Sequence, residues 1–234
     1  VFSASHIAAL IDGIEARGGL DICAGVLSGY LGDAALGTVV LDAVQRVKSR
    51  NPAALFCCDP VMGDVGRGFF VREGIPEFFR DHALPAADIL VPNQFELAYL
   101  AGHPIESLEH ALQATASLRE KGPSQVLVTS FEPTDSAPDE IAMLLDTVNG
   151  AWRIDTPRLP LNPAPNGAGD CTAALYFGHW LRLRDAAAAL AATAASIYEV
   201  FEATVERGTR ELALIDAQDA MVNPSQSFAV TRVR

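Results

Sequence analysis

The stretch Asn166-Gly167-Ala168-Gly169-Asp170 combines residue types that could move a phosphoryl group. It follows a Pro-rich loop, Pro157 to Pro165, and opens onto an apolar run over 171–181 that is long enough for a helix. Two glycines let the backbone turn tightly and approach a ligand with no Cβ in the way. The amides that follow are the unpaired donors of a helix N-terminus, and they suit an anion. Asp170 sits at the start of that helix. A carboxylate beside a phosphate repels it, yet it can take the proton of a hydroxyl that attacks that phosphate. The purely structural alternative is a Gly-x-Gly turn with Asp as the helix cap, and on five residues alone that is the commoner arrangement.

Three further segments bear chemistry. Asp59-Pro60-Val61-Met62-Gly63-Asp64 places two carboxylates five residues apart in a loop after a strand. Near phosphates such a pair suggests Mg²⁺, which takes oxygen ligands and keeps several waters; otherwise it is a solvated acidic loop. Gly63, Gly66 and Gly68 fit either a flap or an ordinary surface loop. In Pro92-Asn93-Gln94-Phe95-Glu96, Asn93 and Glu96 have the spacing of a capping box, which is a complete structural explanation. The functional alternative puts Glu96 on a water-bridged Mg²⁺ and Asn93 near phosphates. Thr129 and Ser130 end a buried strand with two hydroxyls that could meet a nucleotide phosphate. His6, His82, His103, His110 and His179 are scattered without ligand spacing. The sequence has no Ser-His-Asp order, no nucleophile elbow, no Walker A and no dinucleotide fingerprint.

These segments need a scaffold. A first helix is expected through Ile7, Leu10, Ile11 and Ile14, stopped by Gly18, and a strand over 22–31. Asp33 caps a helix with Leu36, Val39, Val40, Ala43, Val44 and Val47 on one face. Strands follow at 54–58, 88–91 and 126–129, with helices over 73–80, from Phe95 to Gly102, and from Leu108 to Gly122. The segments 141–148 and 152–155 read as a hairpin turning at Asn149-Gly150. Helices follow from Asp170, over 185–207 and over 210–221, with a last strand at 228–233. Alternation of strand and helix implies a parallel sheet covered on both faces, with an antiparallel edge hairpin. Ligands bind such sheets at the carboxyl ends of the strands, where Tyr30, Asp59, Asn93 and Thr129-Ser130 fall.

Composition bounds the function. The 234 residues suffice for one α/β domain, and 50% apolar with 20% charged is ordinary for a globular chain. A net charge of −12 argues against nucleic-acid or anionic-membrane surfaces. There is no apolar run of membrane-span length and no signal-peptide pattern. Cys23, Cys57, Cys58 and Cys171 show no CxxC spacing, which reads as a reducing, cytoplasmic setting.

The ordered set DPVMGD at 59–64, PNQFE at 92–96, LVTS at 127–130 and NGAGD at 166–170 resembles the pyridoxal kinases of the ribokinase-like superfamily. LSGYLG at 27–32 and DAQDAMVNP at 216–224 extend the resemblance over essentially the whole chain, as a single domain of residues 1–234. It implies a three-layer α/β/α fold and ATP- and Mg²⁺-dependent phosphorylation of the 5′-hydroxymethyl group of pyridoxal, pyridoxine or pyridoxamine. A monovalent cation such as K⁺ and a homodimer belong to the same expectation. Asp170 would be the catalytic base, with Gly167, Ala168 and Gly169 as the anion hole. Asp59, Val91, Asn93, Glu96, Thr129 and Ser130 would serve ATP, as would Thr156, Pro157, Arg158 and Leu159 and again Gly167. Asp64 and Glu96 would organise Mg²⁺, and Tyr30 would lie beside the pyridine. Two departures stand out. Val1 aligns after the family's first strand, its Gln-Ser-His loop and a Thr-containing substrate segment, and some members carry Lys where Thr129 stands. The related hydroxymethylpyrimidine kinases usually have Cys where Asp170 stands. A non-catalytic vitamin B6-binding protein is the alternative from another class.

Overall fold

A computed structural model describes residues 2–134, 137–161 and 165–234; residues 162–164 of the Pro-rich loop lie outside them. Helix α1 (Ala4–Glu15) begins where the Ser3 side chain accepts the amide of His6. Strand β1 (Gly25–Ser28) is shorter than expected, and Ile22 is 86% exposed in the turn before it. Helix α2 (Ala34–Arg50) starts at Asp33, whose carboxylate accepts from Ala35 as the sequence predicts. Leu10 and Ile14 of α1 remain half exposed, and α1 is held to α2 by ion pairs from Arg46 to Asp12 and Glu15.

Strand β2 (Leu55–Cys58) leads into the short hairpin β3 (Gly63–Asp64) and β4 (Gly68–Phe69). The helix expected over 73–80 runs further, as α3 (Ile75–Phe78), a π-helical turn at Phe79–Ala83 and α4 (Leu84–Ala86). Pro85 has no N–H to donate, and the helical ladder widens just ahead of it. Strand β5 (Ile89–Leu90), α5 (Gln94–Ala101) and α6 (Leu108–Arg119) follow. Strand β6 (Gln125–Phe131), β7 (Glu140–Thr147) and β8 (Gly150–Pro157) form the antiparallel half. The hairpin turn is one residue earlier than read from the sequence. Thr147 pairs with Gly150, which leaves Val148 and Asn149 at the tip, and Thr147 Oγ1 accepts the Asn149 amide at 3.1 Å.

Helices α7 (Ala168–Leu183) and α8 (Ala186–Arg207) come next. The helix expected over 210–221 is reduced to α9 (Gln218–Val222). Ahead of it the backbone is committed elsewhere, with Glu211 bridged to Asn166 and the Ala213 amide donating to Thr204 Oγ1. Strand β9 (Val230–Arg232) closes the sheet.

The sheet runs β1-β2-β5-β6-β7-β8-β9, parallel through β6 and antiparallel beyond. Successive side chains point to opposite faces. Cys58, Leu90, Val126, Val128 and Leu144 pack under α2, α3, α5 and α6 with Phe56, Leu97 and Leu118. Cys57, Ile89, Leu127 and Leu145 pack under α7 and α8 with Tyr176, Leu190 and Ile197. Hence the three layers. Among the described residues, α8 is the one helix long and apolar enough to cross a bilayer by length and composition, which the sequence reading did not single out. Its buried residues, Leu190, Ile197 and Val200 among them, lie instead in the core, the ordinary place for a helix this apolar.

On β7, Asp146 is fully buried and fully satisfied. Thr115 Oγ1 donates to it at 2.8 Å, Arg119 Nε at 3.1 Å, and Arg234 closes the other oxygen.

Candidate active site

The carboxyl ends of four parallel strands are fastened side by side. The Asp59 amide donates to Ser28 O, that of Val91 to Cys58 O, and that of Thr129 to Pro92 O, each at 2.9 Å. Asn93 and Thr129 are bridged directly. This brings Gly29-Tyr30, Asp59, Asn93 and Thr129-Ser130 into one row, as expected from the sheet class.

The start of α7 faces that row. Gly167 is its N-cap at φ 82°, a left-handed conformation suited to glycine. Among the described residues no side chain caps it, and the first intrahelical bond runs from the Cys171 amide to Gly167 O. The amides of Ala168, Gly169 and Asp170 are therefore available to an anion. Asp170 is the third helical residue, so the reading of it as a helix cap is corrected: its carboxylate is not tied to the backbone turn.

Three carboxylates converge. A Cβ on Gly29 would stand 2.8 Å from Asp170 Oδ1, so the Asp170 carboxylate lies directly on the Gly29 backbone. A Cβ on Gly169 would stand 3.9 Å from Asp59 Oδ2, so Asp59 reaches the first turn of α7. Asp59 is 4% exposed, and its pKa is pushed well above the carboxylate range by burial first, then by Glu96 and Asp170. Glu96 is pushed up to about 8 by burial, against the backbone amides that favour its charge. Its Oε2 accepts from Asn93 N at 2.8 Å and its Oε1 from Met62 N at 2.9 Å. Asn93 Oδ1 accepts from Glu96 N at 2.9 Å, which completes the capping box. Asn93 Nδ2 also clamps Gly63 O, fixing the Asp59–Asp64 loop against α5. Asp64 is half exposed on β3 and accepts the amide of Val65.

Among the described residues, only Asp59 Oδ2 and Trp180 Nε1 are buried side-chain polar atoms without a hydrogen-bond partner. An orphaned carboxylate oxygen in a low-dielectric site is costly unless a cation or proton joins it. No group of three or more His, Cys, Asp or Glu side chains among the described residues forms a protein cage. That donor set fits Mg²⁺, which binds through one or two carboxylates, waters and substrate phosphates.

The first turn of α7 is a partition. On one side lies a cavity of about 200 Å³ bordered by Ala168 and Gly169 and by six expected residues, Thr129, Ser130, Thr156, Pro157, Arg158 and Leu159. Ser130 holds φ 48° at an irregularity between Val128 and Phe131, a strained conformation for a residue with a side chain. Arg158 lies at the rim, paired with Glu132 at 2.8 Å. The apolar wall of the cavity was not read from the sequence: Ile141 and Met143 from β7, and Ile197, Tyr198 and Phe201 from α8. On the other side Gly167, Asp170 and Cys171 border a wider depression of about 540 Å³. Of the remaining expected residues, Val91 packs in the core, Asp59, Asn93 and Glu96 gather at the carboxylate cluster, and Tyr30 stands 59% exposed beside Gly29.

Residues 22–213 match the phosphomethylpyrimidine kinase family. The chain is 52% identical over 234 residues to a pyridoxal kinase, PdxY, of Rubrobacter xylanophilus, covering 100% of this chain and 80% of that protein. It is 47% identical over 237 residues to PdxY of Deinococcus radiodurans, with coverage of 100% and 80%. The solved pyridoxal kinase from Leishmania donovani in complex with ADP and pyridoxamine superposes with a TM-score of 0.87 at 25% identity, covering 100% of this chain and 82% of that one.

Proposed function

The chain belongs to the pyridoxal kinases, and we propose that it transfers the terminal phosphoryl group of ATP to the 5′-hydroxymethyl group of pyridoxal, with pyridoxine and pyridoxamine as further acceptors. The observation that carries this reading is the first turn of α7. It sets free amides and an uncapped carboxylate at one place, between a cavity and a wider, more open depression. The Leishmania relative's ADP and pyridoxamine supply two ligand classes, a nucleotide for the cavity and an acceptor beside Asp170.

The nucleotide takes the cavity, its base against Ile197, Tyr198 and Phe201, its phosphates toward Thr129, Ser130 and α7. The acceptor lies on the Tyr30 and Gly29 side. Asp170 accepts the hydroxyl proton as the alkoxide oxygen bonds to the γ-phosphorus. The bond from that phosphorus to the β,γ-bridging oxygen breaks, and ADP leaves with the electron pair. The amides of Ala168, Gly169 and Asp170 receive the charge on the transferring group. Asp59, Asp64 and Glu96 would hold Mg²⁺, which would supply charge neutralisation to the triphosphate. Residues 1–234 act as one domain. A homodimer in the cytoplasm belongs to the same reading, in keeping with the four free cysteines.

A second reading is phosphorylation of hydroxymethylpyrimidine, favoured by the family match over residues 22–213. A coupled ADP-release assay with pyridoxal or hydroxymethylpyrimidine as acceptor, across Mg²⁺ concentrations and with or without K⁺, decides between them. Turnover is expected with pyridoxal and Mg²⁺. Preference for the pyrimidine, or equal ADP release without any acceptor, would sink the pyridoxal reading.

A further inference from the structure

We infer that Gly29 is a positioning residue, one that holds the Asp170 carboxylate in line by having no side chain. The inference rests on the proposed role of Asp170 as base. Gly29 follows β1 directly, and its neighbour Ser28 accepts the Asp59 amide at 2.9 Å, so the backbone there is fastened to the sheet. A Cβ at this position would lie 2.8 Å from Asp170 Oδ1 and 4.0 Å from its Cγ, and real Cβ contacts essentially never fall below 3.0 Å.

The turn itself does not call for glycine. Gly66, Gly68 and Gly167 adopt positive φ, but Gly29 stays outside that region, so its φ is not what calls for glycine. Other crowded glycines meet packing atoms: Gly25 faces the Phe177 ring and Leu55 O, and Gly37 faces the Phe78 ring. What Gly29 faces is the reacting carboxylate. That carboxylate is the free end of a short side chain, so it can rotate away at small cost to the fold. The rotation would move the proton acceptor off the attacking hydroxyl, and a displacement of about 1 Å at a reacting centre can cost ~10²-fold in rate.

The test is a cycle of Gly29→Ala and Asp170→Asn, read by kcat, by KM for ATP and by thermal unfolding. Gly29→Ala is expected to lower kcat by on the order of 10²-fold, with KM for ATP within about threefold of the parent. In the Asp170→Asn background it should add little, because the group it displaces has already been lost. If Gly29→Ala lowers the melting temperature, Asp170→Ala in the same chain must restore it. Three results overturn the inference while leaving Asp170 as base: a kcat for Gly29→Ala near the parent's, an equal loss in both backgrounds, or a lowered melting temperature that Asp170→Ala leaves unrepaired. A harmless Asp170→Asn overturns both.

Discussion

Two regions of the sheet each bury an aspartate, and they treat it in opposite ways. In the seam between β7 and α6, Asp146 is closed off by Thr115, Arg119 and Arg234, so every charge removed from water finds a partner. At the end of β2, Asp59 is nearly as buried, beside Glu96 and Asp170, and one of its oxygens has no partner. The first arrangement is architecture. The second retains an electrostatic cost in the absence of ligand, which is how sites that take up cations and phosphates are built. Burial of a carboxylate therefore says little about its role. Whether its oxygens are satisfied says a great deal.

The comparison can be broken most forcefully at Asp170. Asp170→Asn removes the proposed base while keeping the size of the side chain, and general-base assistance is worth ~10²–10⁴-fold. A loss of kcat in that range is expected, with ATP binding retained by calorimetry. Because Asp170 is the third residue of α7 and not its cap, the melting temperature should change little. A kcat within about threefold of the parent would remove Asp170 from the chemistry.

At the satisfied aspartate the loss should fall on stability. Asp146→Ala leaves Arg119 partly buried without its partner, and breaking such a pair costs about 3–5 kcal/mol. Chemical denaturation should record that loss, while turnover below the melting transition stays near the parent's. A change under about 1 kcal/mol would mean that the seam is no better than a surface ion pair.

The smallest effect has the opposite sign. Asp59→Asn removes a charge that burial and two neighbouring carboxylates oppose, so the ligand-free protein at neutral pH should gain stability, by on the order of 1 kcal/mol or more, about 1.4 kcal/mol being the equivalent of one pKa unit. Turnover should fall in the same variant. An unchanged or lower melting temperature would show that Asp59 is already compensated and that the contrast with Asp146 is illusory.

Much of this was legible in the sequence wherever local chemistry and long-range packing agreed. Asp33, Asn93 with Glu96, and Asp185 all begin helices as their side chains dictate. The alternation of strand and helix gave the layers, and the strand-end polar residues did come together. The failures lie where a distant contact decides. Thr147 holds its own turn and shifts the hairpin by a residue, a competition that an Asn-Gly pair does not reveal. Residues 210–217 carry helical spacing, but their backbone is claimed by Asn166 and Thr204. Ile197, Tyr198 and Phe201 look like any apolar helix face until the fold turns them toward β7. Gly29 lay within the noted LSGYLG segment, but nothing in the sequence set it apart, because its importance is a distance to a residue far along the chain.

The two-residue link at Val148-Asn149 has a consequence for how the molecule is made. It joins eight-residue strands whose partners are close in sequence, and such hairpins close in about 1–10 μs. The parallel pairing of β1 with β2 must wait for α2 to cross over, which raises the entropy lost before any contact is gained. The β7 side of the cavity should therefore exist before the row of strand ends. Pulsed hydrogen exchange during refolding should protect β7 and β8 before β1 and β2, and simultaneous protection would mean that the sheet condenses as one unit.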